Sequence, residues 1–522
     1  MSENSAVPEL DTLVPDEVIP AGTLPPMRYR DLPEAIPLRK MLGPSIILAG
    51  LALGSGEFVL WPYITYKAQF VFFWACLLGV LTQYFLNMEI TRWALATGES
   101  AITGFIRLNR HWAWVFLLLN VIPWMIPAWA TGAAELFSWM VWEPQMVFDE
   151  ATQTFAIETT SGGYQTWIAI AGMFGCGIIL TAGPVIYETV ERIQVVLVSL
   201  VMILIVVLAF WLVRMESVIA LFSSTLTFGY PNFFPDQAST GLDPVLLLGA
   251  LAFAGAGGTT NLGQSNYIKD KGYGMGVHVG RITSPITGQV ESVTEIGFHF
   301  RDTEENSRRW RQWWKSACWE HSLSFLATCV FCLVLLALIS HSVFYENGSL
   351  RTGAEQYGKG MNFVLGEANE VGRTISPVAK NVFLFMGIVI LLTTEFGVLD
   401  AASRISTDVV KVAWLRESKF WSESRLYYAF LWGTIFVGSG ILLLATVGIN
   451  VSALQLFKLT AAMNGGVMFL YCFLLLYMNR FKLPASVRIN WWRSIIMVWA
   501  VLFFGSFAIW AAVATFSKMF VG

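Results

Sequence analysis

Residues 51–61 read LALGSGEFVLW, inside an apolar stretch running roughly from Met41 to Tyr66. Gly54, Ser55, Gly56 and Glu57 interrupt what is otherwise a helix fit to cross a bilayer. Glycine costs about 1 kcal/mol against alanine in a helix interior. An ionisable group at mid-bilayer costs roughly 2.5–3.5 kcal/mol on insertion scales. A chain that accepts both at one place is expected to use them. At such a break, freed N–H and C=O groups face an internal cavity, where they can hold a substrate or an ion. A second stretch, LLLGALAFAGAGGTTNLGQSN (246–266), repeats the device. It carries Gly255, Gly257 and Gly258, then Thr259, Thr260 and Asn261. One glycine cluster alone reads as close helix packing. Two, five spans apart and both with polar side chains, point to the paired discontinuous helices of an inverted-repeat transporter.

The elements that must position these residues are membrane helices. The chain is 55% hydrophobic and 13% charged, with 22 Trp. A soluble domain carries about 25% charged residues. The net charge of −3 argues against a nucleic-acid partner. Stretches of near spanning length occur at 42–66, 71–95, 112–140, 164–186, 190–213, 243–267, 317–341, 377–400, 426–447, 452–478 and 491–516. These predict an all-α integral membrane domain over 41–516: repeat one at 41–213, repeat two at 243–478, and an extra helix at 491–516. Alternate loops are rich in Lys and Arg, while 141–162 has neither. That bias puts the N-terminus in the cytoplasm and the C-terminus outside. Residues 1–40 are polar, acidic and Pro-rich, and are expected to form a disordered cytoplasmic tail. The Arg/Trp stretch RRWRQWWKSACW (308–319) is expected to lie as a helix in the lipid interface. Six scattered Cys imply no disulfide framework; Cys329 and Cys332 form a C-x-x-C inside an apolar span.

The run LGPSIILAGLALGSGEFVLW, the later ALATGES, and YETVERIQVVLVSLVMIL resemble the NRAMP family of proton-coupled divalent-metal transporters. The resemblance covers spans one to six best. It implies the leucine-transporter fold, a 5+5 inverted repeat with eleven helices here, of which helices 1 and 6 are broken. It also implies a bacterial inner membrane. The metal ligands do not carry over. Gly54 stands where the family has Asp, Glu57 where it has Asn, and Gly258 where it has Met; the family histidines become Thr260 and Ser265. Only Glu57, the Gly255 carbonyl and Asn261 still offer oxygens to a metal. That set suits magnesium or calcium better than manganese or iron. GSGEFVLWP also resembles the break of amino acid–polyamine–organocation transporters, where unwound amides hold a substrate carboxylate. A small amino acid, amine or other organic solute is therefore the alternative cargo.

Thr393, Thr394 and Glu395 in span eight are the candidates for coupling-ion chemistry. In sodium-coupled members of this fold, paired hydroxyls on helix eight join carbonyls of helix one. Each hydroxyl could instead bond the carbonyl one turn back. Glu395 is either a proton carrier or a partner of Arg404. Asp400 is expected to pair, Lys458 to snorkel, and Asn464 to sit in a gating helix. No cofactor is expected beyond sodium or protons as coupling ion, and the partners are the bilayer and a small substrate. The chain offers no HExxH, no Walker loop and no Ser/His/Asp set, so it reads as a non-enzyme. No span shows the polar stripe of a channel. A non-transporting receptor on a transporter scaffold is the second alternative.

Overall fold

The computed structural model describes residues 12–37, 41–149, 154–158, 163–183, 185–283, 294–444 and 452–521. In lipid, backbone groups must be satisfied within the segment, so apolar runs of this length become helices. Among the described residues, ten helices are long and apolar enough to cross a membrane. Span 1 is Pro44–Ala68, span 2 Phe73–Thr97, span 3 Trp112–Val141, span 4 Tyr164–Ala182 and span 5 Ile186–Leu212. Span 7 lies within Glu304–Phe344, followed by span 8 (Pro377–Ala413), span 9 (Glu423–Leu443), span 10 (Ala453–Phe481) and span 11 (Trp491–Ser517). Span 6 completes the set in two halves, Pro244–Ala252 and Gly258–Lys271. The last residues of the expected ninth span, 445–447, lie outside the described residues.

The two glycine clusters yield differently. Span 1 stays helical throughout, widening to a π-helix over Leu53–Leu60. Span 6 parts completely over 253–257. A third interruption was not anticipated: span 3 bends at 125–127, between helices Trp112–Trp124 and Ala128–Val141. Pro123 and Pro127 flank the bend, where each removes a backbone donor.

Span 8 is the spine. It runs 37 residues, well past the expected end at 400, because its charged side chains are paired inside the protein. Arg404 bonds Asp400 at 2.9 Å and also Asp270 of span 6; Lys269 of span 6 meets Asp408 at 3.6 Å. Asp400 thus pairs as expected, but Arg404 is taken by the two aspartates and not by Glu395.

The N-terminal segment corrects the expectation of a disordered tail. Over residues 12–37 it forms a strap with Val14, Ile19, Met27 and Leu32 buried. Arg28–Tyr29 pairs in parallel with Phe298–His299. Arg107 donates to the carbonyls of Ala21 and Pro25, both at 2.9 Å, and Trp313 Nε1 donates to the Pro33 carbonyl at 2.8 Å. The physical reason lies in the prolines: a Pro-rich extended backbone keeps its carbonyls free to accept. Residues 1–11 and 38–40 lie outside the described residues. The strap also revises the reading of 308–319. That stretch is helical, but Trp310 and Trp313 are buried, and Arg309 donates to the strap at Leu32.

Candidate substrate site

The candidate site lies where spans 1 and 6 meet. Gly56 faces the span 6 break so closely that a Cβ there would overlap the carbonyl oxygen of Phe253. Gly54 faces span 8, and its missing Cβ makes room for the Thr394 hydroxyl. Ser55 lies in the same π-helical turn; its side chain is outside the described residues. Span 1 therefore presses span 6 on one side and span 8 on another.

The break in span 6 is closed by an amide from span 2. Gln83 Nε2 donates to the carbonyls of Leu251 (3.1 Å) and Ala252 (2.8 Å). Its Oε1 accepts from the Gly257 N–H at 3.3 Å and from Asn261 Nδ2 at 3.2 Å. One side chain thus satisfies groups on both sides of the gap, including carbonyls the first half-helix leaves orphaned. Gly255 packs against the same amide. Gly257 and Gly258 have φ of +70° and +59°, which is left-handed backbone suited to glycine. Gly258 also leaves room for Asn464 of span 10, whose Oδ1 accepts from the Thr259 N–H at 3.3 Å.

Thr259 is the hub of a second group. Its hydroxyl donates to Asn120 Oδ1 and accepts from Trp124 Nε1, both at 2.7 Å. Thr260 instead bonds backward to the Ala256 carbonyl at 2.8 Å, within its own turn. Trp124 is one wall of an aromatic cluster over the break. Its ring lies 5.6 Å from Trp129 and 6.2 Å from Phe253, and Trp129 lies 5.6 Å from Phe457.

Glu57 does not join this group. It is fully buried, and among the described residues no nitrogen or oxygen donor reaches it from another residue. Its neighbours are thiols: Cys329 and Cys332 of span 7 and Cys76 of span 2. All six cysteines are free. Among the described residues, no group of three or more His, Cys, Asp or Glu is arranged to hold a metal ion.

Of the span 8 candidates, Thr394 Oγ1 lies 3.1 Å from the Ile390 carbonyl and 3.4 Å from that of Gly50 in span 1. The bond one turn back is the one foreseen for it, and the longer contact ties span 8 to span 1. Thr393 Oγ1 is buried without a partner among the described residues, as is Oε1 of Gln194 in span 5. Gln194 Nε2 donates to the Thr393 carbonyl at 3.3 Å. Glu395 accepts the backbone N–H of Ala130, an orphan donor at the start of span 3's second half. That carboxylate therefore caps a helix.

Gln83, Asn120, Trp124 and Trp129 were missed from sequence. Two signals could have found them: an uncharged amide in mid-span, at Gln83 and Asn120, and the Pro123/Pro127 pair beside the tryptophans.

This geometry defines a multi-pass membrane protein of the leucine-transporter fold. No protein-family model matches the chain, and no curated protein matches it in sequence. Solved structures do. The fold is similar to that of the manganese transporter of Eremococcus coleocola, in one mutant form with TM-score 0.62, 11% identity, and coverage of 94% of this chain and 90% of that one. A second mutant form gives TM-score 0.61 at 12% identity, covering 98% and 92%. The same transporter in complex with an aromatic bis-isothiourea substituted compound gives 0.59 at 11%, covering 93% and 88%. At such identity the likeness is one of fold.

Proposed function

We propose that this chain is a secondary active transporter of a small organic solute bearing an amine, with sodium as the driving ion. One observation carries the cargo reading. The span 6 break is walled by aromatic rings and neutral hydrogen-bonding groups, while the Glu57 carboxylate lies against the Cys329 thiol of span 7. Tryptophan faces attract ammonium groups by about 0.5–2 kcal/mol, more as the site dries. Asn120, Thr259 and Asn464 would orient the rest of the solute. The sodium reading is supported by unpartnered oxygens on Thr393 and Gln194 beside Thr394 and the Gly50 carbonyl. Neutral oxygens of this kind hold sodium in broken-helix transporters. A basic bias in the loops on the strap's side supports a cytoplasmic N-terminus.

A divalent-metal cargo is the second reading, favoured by the likeness to manganese transporters. It would rest on Glu57 and the Gly255 carbonyl, oxygens that suit magnesium or calcium. Thermal unfolding of the purified protein separates the two. A ligand at 100 times its Kd adds about 2.7 kcal/mol to the folded state. The organic reading expects stabilisation by an amine or small amino acid, dependent on sodium and lost in Trp129→Ala. Stabilisation by a divalent ion alone, lost in Glu57→Gln, would replace it with the metal reading.

A further inference from the structure

Where the strap passes the end of span 8 lies a cavity of about 210 Å³, bordered by Thr23 and Leu24 of the strap, Arg110, Trp414, Arg416 and Glu417. That is several times the ~30 Å³ share of one water, room for a phosphate group and part of its substituent. The basic groups around it are not equally engaged. Arg107 is spent on Glu99 and on strap carbonyls. Lys411 donates to the carbonyls of Leu415, Arg416 and Ser418 and meets Glu295 at 3.3 Å, which fixes the turn after span 8. Arg110 makes one bond, to the Ala413 carbonyl at 2.6 Å. Among the described residues the Arg416 side chain makes none, and neither arginine has an ion pair. Two guanidinium groups with free planar donors thus border one cavity, against a single exposed carboxylate, Glu417. Such forks match phosphate oxygens in pairs.

The cavity also sits at a definite depth. Trp414 packs on Trp114 with ring centroids 4.4 Å apart. Trp114 and Leu118, one turn apart on span 3, are 55% and 53% exposed, which is a lipid-facing stripe. Tryptophan at the end of such a stripe marks the headgroup level. Basic pockets between helices at that level bind phospholipid headgroups.

We infer that the Arg110–Arg416 cavity binds a phosphate-bearing anion, and that the bound anion fastens the N-terminal strap to the end of span 8. Its source is either a phospholipid headgroup or a soluble phosphate ester.

The test uses the full chain in neutral detergent and measures retention of phosphatidylglycerol, phosphatidylcholine, glycerol phosphate and inorganic phosphate by native mass spectrometry. Arg416→Gln breaks no side-chain bond among the described residues, so its fold is expected to be intact. Arg308→Gln, an exposed site on the helix leading into span 7, is the charge control. The expected result is anion binding that weakens about fivefold in Arg416→Gln, weakens further in Arg110→Gln/Arg416→Gln, and is unchanged in Arg308→Gln. Retention of phosphatidylglycerol without competition from soluble phosphates identifies the lipid source. Binding of glycerol phosphate or inorganic phosphate with the same arginine dependence identifies the soluble one. Absence of anion binding, or binding indifferent to both arginines, overturns the inference.

Discussion

Spans 1 and 6 carry the same kind of sequence signal, yet one widens its helix and the other breaks it. In span 1, glycines at 50, 54 and 56 each meet a neighbour: Gln194, Thr394 and the Phe253 carbonyl. Wider π turns absorb the distortion, and the backbone bonds stay inside the helix. In span 6, left-handed backbone at Gly257 and Gly258 makes the gap, and side chains from spans 2 and 10 take over the freed groups. Glycines mark where a helix yields. Whether it opens depends on outside donors and acceptors being ready, and across the span 6 gap Gln83 and Asn464 supply them.

That contrast can be broken most severely at the contact itself. Gly56→Ala forces a methyl into the Phe253 carbonyl and is expected to cost about 3 kcal/mol or more, at the upper end for overpacking. Gly466→Ala in span 10, where nothing lies within 4 Å of the new methyl, should instead gain up to about 1 kcal/mol. Thermal unfolding of the pair in one detergent checks both. A Gly56→Ala protein as stable as the parent would mean that spans 1 and 6 are not in contact.

Next comes the clamp. Gln83→Ala leaves the Leu251 and Ala252 carbonyls and the Gly257 N–H short of a buried partner, at about 1–3 kcal/mol for such a loss. Hydrogen exchange should quicken at 253–258 and stay unchanged over Leu53–Leu60. Equal quickening in both would show that the two segments open as one.

The smallest effect concerns the C-terminal half of span 1 alone. Glu367, on the lateral helix Asn362–Thr374, is buried, and burial raises its carboxyl from the ordinary 4.5 to about 8. Its neighbour Ser340 donates to the Pro62 carbonyl of span 1 at 3.1 Å. The folded state holds this proton more tightly than the unfolded chain. Its contribution is therefore complete below pH 4.5 and lost as pH rises to about 8. The slope approaches about 1.4 kcal/mol per unit within that window. Between pH 7 and 8 the parent should lose stability by up to that amount, and Glu367→Gln should lose less.

The outline of the molecule was legible because bilayer physics is coarse: apolar length gives helices, and the two glycine clusters mark where span 1 widens and span 6 breaks. Side-chain direction was not. Glu57 sits in the π-helical turn against Cys329, and no spacing rule reports a π turn. The bond from the Ala130 N–H to Glu395 joins two different spans, which no local sequence pattern reports. The strap was missed because its partners are arginine and tryptophan donors far along the chain, and composition records neither.

The strap also sets an order of assembly. Leu32 bonds Asn306, a partner 274 residues away, and Pro33 waits for Trp313. While the chain grows, the Ala21–Pro25 part of the strap can dock on Arg107 once span 2 is in place. Leu32 and Pro33 must wait for six spans and the helix leading into the seventh. Their docking then reports that the earlier membrane insertions have reached their intended sides.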